Sequence, residues 1–139
     1  MSKVIALFGA GYVTTSVVEY LTRRPENRLI IANRTLEHAV LKAKQFAHNS
    51  NQVECVAIDV ADQSDENTKK IEDLIAKCDI AISLVPYTYH VIIAKICIAK
   101  KKHLVTTSYI SPAMRELDQR YESEPNVYFQ AQRMLVSFS

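Results

Sequence analysis

The chain has 139 residues, of which 48% are hydrophobic and 23% are charged, and its formal net charge at pH 7 is +2. This length favours one domain with its own core, and a charge so close to neutral gives no indication of a nucleic-acid or membrane partner. No apolar run approaches the ~20 residues that a membrane-spanning helix requires. The segment from Met1 to Lys3 leads directly into an apolar run, which leaves no room for a signal peptide. We therefore expect a cytoplasmic protein.

The cysteines and histidines give no indication of a disulfide framework or a metal site. Cys55, Cys78 and Cys97 are far apart and odd in number, and the four histidines lack metal-ligand spacing. We expect free thiols in a reducing compartment and no bound metal.

The first motif is a glycine turn near the N-terminus. Val4 to Phe8 reads as a strand that is buried on both faces, and Gly9-Ala10-Gly11 leads from it into a helix predicted from Val13 to Leu21. A strand that turns through Gly-x-Gly into a helix presents backbone N–H groups and a helix N-terminus to a pyrophosphate. The third position of Gly-x-Gly-x-x-Gly holds Thr14, yet the chain has only these two glycines. A plain tight turn is the alternative.

Beyond this turn, short apolar runs alternate with segments of helical periodicity. The pattern predicts strands at 29–32, 54–58, 80–84, 103–106 and 127–129, helices at 36–46, 91–99 and 112–121, a helix marked by Ile71, Leu74 and Ile75, and a loop at 61–67. Such alternation is typical of an α/β fold, a doubly wound parallel sheet of the Rossmann type with strand order 3-2-1-4-5-6. A ligand then binds at the carboxyl ends of the strands, beside the first strand.

The second strand is followed by Asn33-Arg34-Thr35. An arginine cannot accept a hydrogen bond from a ribose 2′-hydroxyl, but it can pair with a 2′-phosphate and stack on adenine. Thr35 can add a hydroxyl to the same phosphate. These residues favour NADP(H) over NAD, and the alternative is a helix cap followed by a surface arginine.

Three further strand ends carry candidate residues. Asp59 can bond the adenine amino group or simply stabilise a turn, and the sequence leaves both open. His90 is a candidate acid/base group, but its place at a helix start argues against catalysis, so no catalytic residue is assigned. The hydroxyl cluster over 106–111 suits a ligand carboxylate or a cofactor ribose, whereas a capped turn explains only Ser111 and Pro112.

Four segments together resemble saccharopine dehydrogenase of the glutamate-forming, NADP-using type. They are Phe8–Val13, Ala32–Leu36, Ile82–His90 and Val105–Ala113, and the similarity runs in register from about Lys3 to about Gln119. Asn-Arg-Thr alone also resembles shikimate dehydrogenase, but the third and fourth segments are not shikimate-like.

The resemblance implies reversible reductive condensation of 2-aminoadipate 6-semialdehyde with glutamate to give saccharopine, in lysine metabolism. It implies that Gly9 to Val13 hold the pyrophosphate, that Arg34 and Thr35 hold the 2′-phosphate, and that Thr107 to Tyr109 lie where cofactor and substrate meet. The implied cofactor-binding residues are Gly9, Ala10, Gly11, Tyr12, Val13, Asn33, Arg34, Thr35, Asp59, Val60, Leu84, Val85, Pro86, Tyr87 and Thr106, and the implied substrate-binding residues are Thr107, Ser108 and Tyr109.

The chain also departs from the family, whose enzymes continue with a Gly-Leu-Asp-Pro-Gly segment and a large substrate domain. We expect a cofactor domain at 1–130, an unassigned tail at 131–139 and no substrate domain. The prediction is the cofactor half alone, as a truncated gene product, an alternative product or a cloned fragment, without appreciable dehydrogenase activity of its own. Two alternatives are a non-catalytic NADP-binding module and an interaction protein that forms a homo- or hetero-dimer with a full-length relative.

Overall fold

The first strand, β1 (Lys3–Phe8), lies at the centre of a sheet with helices on both faces. The computed structural model describes residues 3–106, except for the side chains of Tyr12 and Tyr87. The elements that follow β1 are α1 (Tyr12–Leu21), β2 (Asn27–Asn33), α2 (Leu36–Phe46), β3 (Val53–Ala57), α3 (Asp65–Lys77), β4 (Ile80–Ser83), α4 (His90–Lys100) and β5 (His103–Thr106), with 3₁₀ turns at Ser50–Gln52 and Tyr87–Tyr89.

The described strands form one parallel sheet in the order β3-β2-β1-β4-β5. This confirms the predicted doubly wound parallel sheet over its first five strands. The sixth strand predicted at 127–129 and the helix predicted at 112–121 lie outside the described residues. Within residues 3–106, none of the helices has the length and apolarity required to cross a bilayer.

The alternation of side chains along the strands divides the core into two layers. On β1, Ile5 and Leu7 face a layer that contains Val18 of α1 and Ala39 of α2. The intervening residues of β1 face the opposite layer. That layer is formed by Ala6, Phe8, Ile30, Ala32, Ile58, Ile71, Leu74, Ile75, Cys78, Ala81, Ile93, Ala94, Cys97 and Leu104. A strand that is apolar at every position must be buried on both faces. Helices α1 and α2 pack on one face of the sheet, and α3 and α4 pack on the other.

The boundary predicted between the loop at 61–67 and the next helix is wrong, because the last three residues of that loop belong to the helix. Helix α3 begins at Asp65, and the hydroxyl of Ser64 accepts a hydrogen bond from the backbone N–H of Asn67 at 3.3 Å. Asp65 and Glu66 occupy the first helical turn, where negative charge complements the helix dipole. The polar composition of this segment is therefore that of a capped helix start.

Other boundaries differ by one or two residues. β2 is longer than predicted at both ends, β3 begins and ends one residue earlier, and β4 ends at Ser83 rather than at Leu84. Helix α4 extends the predicted 91–99 by one residue at each end, whereas α2 and β5 have the predicted bounds.

Candidate functional site

The carboxyl ends of the strands meet at one edge of the sheet, and hydrogen bonds beyond the regular ladders join them. Gly9, just after β1, donates its N–H to the carbonyl of Ala32 at 2.9 Å. Leu84, just after β4, donates to the carbonyl of Phe8 at 2.9 Å. Ile58, after β3, donates to the carbonyl of Asn33 at 3.0 Å. The segments predicted to bind the cofactor are thereby brought side by side.

Gly9 makes the turn out of β1 possible. Its φ is +114°, a conformation that L side chains rarely adopt. A Cβ atom at this position would also lie 3.3 Å from the carbonyl carbon and oxygen of Leu84. The buried Thr14 supports the turn through its hydroxyl, which donates to the carbonyl of Gly9 at 3.2 Å. Thr14 therefore fills the third position of the motif with a packed, hydrogen-bonded side chain.

Gly11 precedes α1 and faces open space. A Cβ built on it meets nothing within 4 Å. The start of α1 has no side-chain cap among the described residues and no acidic residue in its first turn. Such a helix N-terminus, with a glycine that lets a ligand approach the backbone, fits a pyrophosphate. Ala10 is partly buried here, and Val13 on the first turn is 55% exposed.

The turn after β2 presents Arg34 to solvent. The Asn33 side-chain amide donates to the carbonyl of Thr35 at 2.8 Å and so fixes the backbone on both sides of Arg34. No hydrogen bond or ion pair within residues 3–106 engages the exposed guanidinium. Thr35 is the N-cap residue of α2, but its hydroxyl makes no capping hydrogen bond. Both side chains are therefore available to a phosphate.

Helices α1 and α2 are joined by a side-chain hydrogen bond that no pattern in the sequence predicts. The Lys42 ammonium on α2 donates to the hydroxyl of Thr15 on α1 at 3.1 Å and lies 5.4 Å from the ring centre of Phe46. Lys42 thus links the helix that follows the glycine turn to the helix that follows Arg34.

Asp59 takes part in a turn after β3. One carboxylate oxygen accepts the N–H of Ala61 at 3.0 Å, and its backbone carbonyl accepts the amide of Asn67 at 2.6 Å. The turn role that the sequence left open is thus present, and the contact with adenine stays a prediction. Val60 is partly buried and packs on the core layer beneath α3 and α4.

The segment after β4 begins against the glycine turn and ends in a 3₁₀ turn. Leu84 and Val85 are partly buried, each against a different core layer, whereas Pro86 is exposed. The carbonyl of Pro86 accepts the N–H of Tyr89 at 2.9 Å. Leu84 at the start of this segment therefore lies beside Gly9, and the contact of the segment with the nicotinamide half stays a prediction.

Ser83 and His90 form a buried polar pair at the same edge. The Ser83 hydroxyl lies 2.7 Å from Nδ1 of His90, and the two residues are 0% and 2% exposed. Burial lowers the pKa of His90, so the ring is neutral at physiological pH. The sequence shows only a serine at a strand end and a histidine at a helix start, and nothing in it indicates that the two face each other.

Thr106, at the end of β5, is 1% exposed, and its hydroxyl has no hydrogen-bond partner in the described chain. Its side chain faces the core, so a cofactor beside it would meet its backbone. The predicted substrate residues Thr107, Ser108 and Tyr109 lie outside the described residues. Within residues 3–106, no group of three or more His, Cys, Asp or Glu side chains is placed to hold a metal ion.

Comparison with known proteins gives one consistent family. Residues 5–128 match the family model described as the saccharopine dehydrogenase NADP binding domain. The saccharopine dehydrogenase (NADP(+), L-glutamate-forming) of Schizosaccharomyces pombe is 39% identical over 115 residues, which are 83% of this chain and 24% of that protein. The mitochondrial alpha-aminoadipic semialdehyde synthase of Bos taurus is 33% identical over 120 residues, which are 86% of this chain and 12% of that protein.

Solved structures give the same result. Apo saccharopine dehydrogenase (L-Glu forming) from Saccharomyces cerevisiae superposes with a TM-score of 0.75 at 32% identity, covering 92% of this chain and 26% of that one. Biliverdin reductase from Synechocystis, with a TM-score of 0.68 and 17% identity over 96% of this chain and 39% of that one, shares the fold alone. The chain thus spans about a quarter, or less, of the length of its curated relatives. These findings confirm the predicted Rossmann-type fold, the predicted family resemblance and NADP(H) as the cofactor. The chain belongs to the saccharopine dehydrogenase NADP-binding domain family.

Proposed function

We propose that this chain binds NADP(H) across the carboxyl edge of its sheet, as the cofactor-binding part of a saccharopine dehydrogenase-like oxidoreductase of lysine metabolism. One observation supports the proposal above all others. The open space at Gly11 adjoins a helix start without a side-chain cap, and a turn on the neighbouring strand presents the unpaired guanidinium of Arg34. The pyrophosphate and the 2′-phosphate would each meet donors that nothing else in the described chain uses.

The two phosphate sites differ in what they recognise. Backbone N–H groups at Gly11 to Val13 bind a pyrophosphate that NAD and NADP share. Arg34 and Thr35 add a positive charge and a hydroxyl that suit only the 2′-phosphate. The adenine would lie towards Asp59 and Val60, and the nicotinamide half along the segment from Leu84 to Tyr87.

The reaction we propose is the reversible reductive condensation of 2-aminoadipate 6-semialdehyde with glutamate, in which imine formation releases water and the imine is reduced by NADPH to saccharopine. When bound, NADP(H) supplies or accepts the hydride at the imine carbon. The described residues bind and orient the cofactor, and Thr107, Ser108 and Tyr109 are proposed to lie next to the substrate.

We further propose that these 139 residues alone do not turn over saccharopine, since about three quarters of the length of the fungal relatives has no counterpart among them. The domain bounds 1–130 and 131–139, the cytoplasmic location and a dimer with a second copy or a full-length relative also stay predictions. Size-exclusion chromatography with and without such a relative tests the dimer. Turnover of saccharopine with NADP(+) by the purified chain would overturn the expected inactivity.

Titration of the purified chain with NADPH and NADH tests the cofactor role. Arg34→Ala should weaken NADPH about tenfold to hundredfold, the range expected for a lost charge-assisted hydrogen bond. NADH should lose less than about twofold, because it has no phosphate for Arg34 to contact. The matched control is Arg28→Ala, which removes an exposed arginine at the opposite end of the same strand.

Two results would contradict the proposal. If the unmodified chain binds neither cofactor at about 100 μM, a generous level against typical cofactor affinities, the cofactor role is wrong. If Arg34→Ala weakens NADPH and NADH equally, Arg34 does not bind the 2′-phosphate.

A further inference from the structure

The buried pair of Ser83 and His90 joins the two ends of one loop. Ser83 is the last residue of β4 and His90 is the first residue of α4. Their hydrogen bond of 2.7 Å therefore closes the loop 84–89, which contains the residues predicted to lie along the nicotinamide half of the cofactor. A short bond between two fixed elements restricts how far such a loop can move.

A third polar group lies at the same corner. Thr106 is the register partner of Ser83 on the neighbouring strand, and both side chains face the same buried layer. The layer around them is apolar, with Ala81 and Leu104 two residues earlier on the same strands. Buried hydroxyl and imidazole groups cost free energy relative to apolar side chains. Apolar packing alone therefore does not account for them.

The environment of His90 argues against direct catalysis. The side chain is 2% exposed, which leaves no surface for contact with a substrate. Because burial lowers its pKa, the ring is neutral and can share a hydrogen with Ser83 in either direction. A neutral, buried, hydrogen-bonded ring suits a fixed tether.

The leading end of the loop is fixed as well. The N–H of Leu84 donates a hydrogen bond to the carbonyl of Phe8 at 2.9 Å. The carbonyl of Leu84 would lie 3.3 Å from a Cβ atom on Gly9. The loop thus starts in contact with the turn proposed to hold the pyrophosphate and returns to the sheet through His90.

We propose that the hydrogen bond between Ser83 and His90 is a positioning device that holds the loop 84–89 against the nicotinamide half of bound NADP(H). This inference rests on the proposed cofactor role. It assigns to Ser83 and His90 a function in cofactor geometry without contact to the reacting atoms. Loss of the bond should leave the adenosine half of the cofactor bound as before and free the nicotinamide half.

The test compares two ligands that share the 2′-phosphate. NADPH contains both halves of the dinucleotide, whereas 2′,5′-ADP lacks the nicotinamide half. In Ser83→Ala and His90→Leu, the affinity for NADPH relative to 2′,5′-ADP should fall about tenfold, which corresponds to one lost hydrogen bond. His90→Asn places an amide near the position of Nδ1 and should restore the ratio to within about threefold.

Two further measurements separate positioning from general damage to the fold. The control His103→Asn makes the same change at the opposite end of the sheet, at the start of β5, and should leave the ratio unchanged. The fluorescence of bound NADPH, excited directly at the reduced nicotinamide ring, reports on the surroundings of that ring. Because the chain has no tryptophan, no tryptophan emission contributes to this signal. This emission should approach that of the free cofactor in Ser83→Ala and recover in His90→Asn.

The outcomes are distinguishable. If the unmodified chain binds neither ligand, the proposed cofactor role fails and the positioning role fails with it. If it binds both but Ser83→Ala weakens them equally or leaves both unchanged, only the positioning role is overturned. Equal affinity of the unmodified chain for both ligands would also overturn it. Should His90→Leu fail to fold, Ser83→Ala and His90→Asn decide the question.

Discussion

The two glycines should respond in opposite ways to the same substitution. Gly9 has a φ of +114°, and an added Cβ atom would lie 3.3 Å from the backbone of Leu84. Gly11 has a φ of −84° and a ψ of −164°, which any residue adopts, and its Cβ position is open. We expect Gly9→Ala to destabilise the fold and Gly11→Ala to impair cofactor binding instead.

The magnitudes follow from these geometries. At Gly9 the positive φ costs about 1–2 kcal/mol, and the tight contact adds about 1–2 kcal/mol. The sum of about 2–4 kcal/mol should lower the melting temperature by roughly 6–15 °C for a chain of this size. At Gly11 the reduced entropy of the unfolded chain and the poorer N-cap offset each other, so stability should change by less than about 1 kcal/mol. The added methyl group at Gly11 should weaken NADPH at least about tenfold, because it fills the space that the pyrophosphate needs.

Urea unfolding followed by far-UV circular dichroism measures the stability of each variant, since the chain has no tryptophan to report by fluorescence. Titration with NADPH, at a temperature where both variants are folded, measures binding. Equal loss of stability in Gly9→Ala and Gly11→Ala would refute the argument from the positive φ. Normal NADPH binding by Gly11→Ala would refute the argument that this space holds the pyrophosphate.

Three further predictions concern the end of helix α4, the thiols and the buried histidine. Lys101, the C-cap residue that follows α4, has a φ of 56°, so Lys101→Gly should raise the free energy of unfolding by about 0.5–1 kcal/mol, whereas Lys95→Gly inside the helix should lower it by about as much. Burial raises the pKa of Cys78 to about 11 and raises the pKa of Cys97, so a thiol reagent at neutral pH should label the half-buried Cys55 first and the other two only after unfolding. Burial lowers the pKa of His90, so the unfolded chain binds a proton at higher pH than the folded chain does. Stability should therefore be full above pH ~6.5 and fall as the pH is lowered through that value, and His90→Asn should remove this fall in urea unfolding.

A specific result would contradict each of these predictions. The same sign of change in Lys101→Gly and Lys95→Gly in urea unfolding would contradict strain at Lys101. Labelling of Cys97 in the folded chain as fast as that of Cys55, measured by mass spectrometry, would contradict its burial. An unchanged pH dependence in His90→Asn would show that another group controls stability near neutral pH.

Much of the fold was predictable because its signals are local. The run Val4–Phe8 is apolar at every position, which predicts a strand covered on both faces, and β1 is such a strand. The start of α3 was predicted wrongly because polar composition alone does not separate a loop from a capped helix turn. The distinguishing feature is the order Ser64-Asp65-Glu66, a cap residue followed by acidic residues.

The candidate site was only partly predictable. The glycine turn and Arg34 follow strand ends, and topology alone brings strand ends together. The pairing of Ser83 with His90 depends on the angle at which α4 returns to the sheet, which no local pattern records. The burial of Thr106 has a different origin, since alternation along β5, whose bounds were predicted correctly, places its side chain on the same face as the buried Leu104.

Binding and specificity of the cofactor rest on different parts of this molecule. The pyrophosphate is proposed to meet main-chain groups, whose arrangement depends on the backbone conformation of Gly9. Preference for the 2′-phosphate is proposed to rest on one exposed side chain, Arg34, which Asn33 orients through a single hydrogen bond of 2.8 Å. A change in the glycine turn must therefore affect NADPH and NADH alike, because both contain the pyrophosphate. A change at Arg34 can alter the choice between them without cost to the fold, since the guanidinium contributes no hydrogen bond or ion pair to residues 3–106.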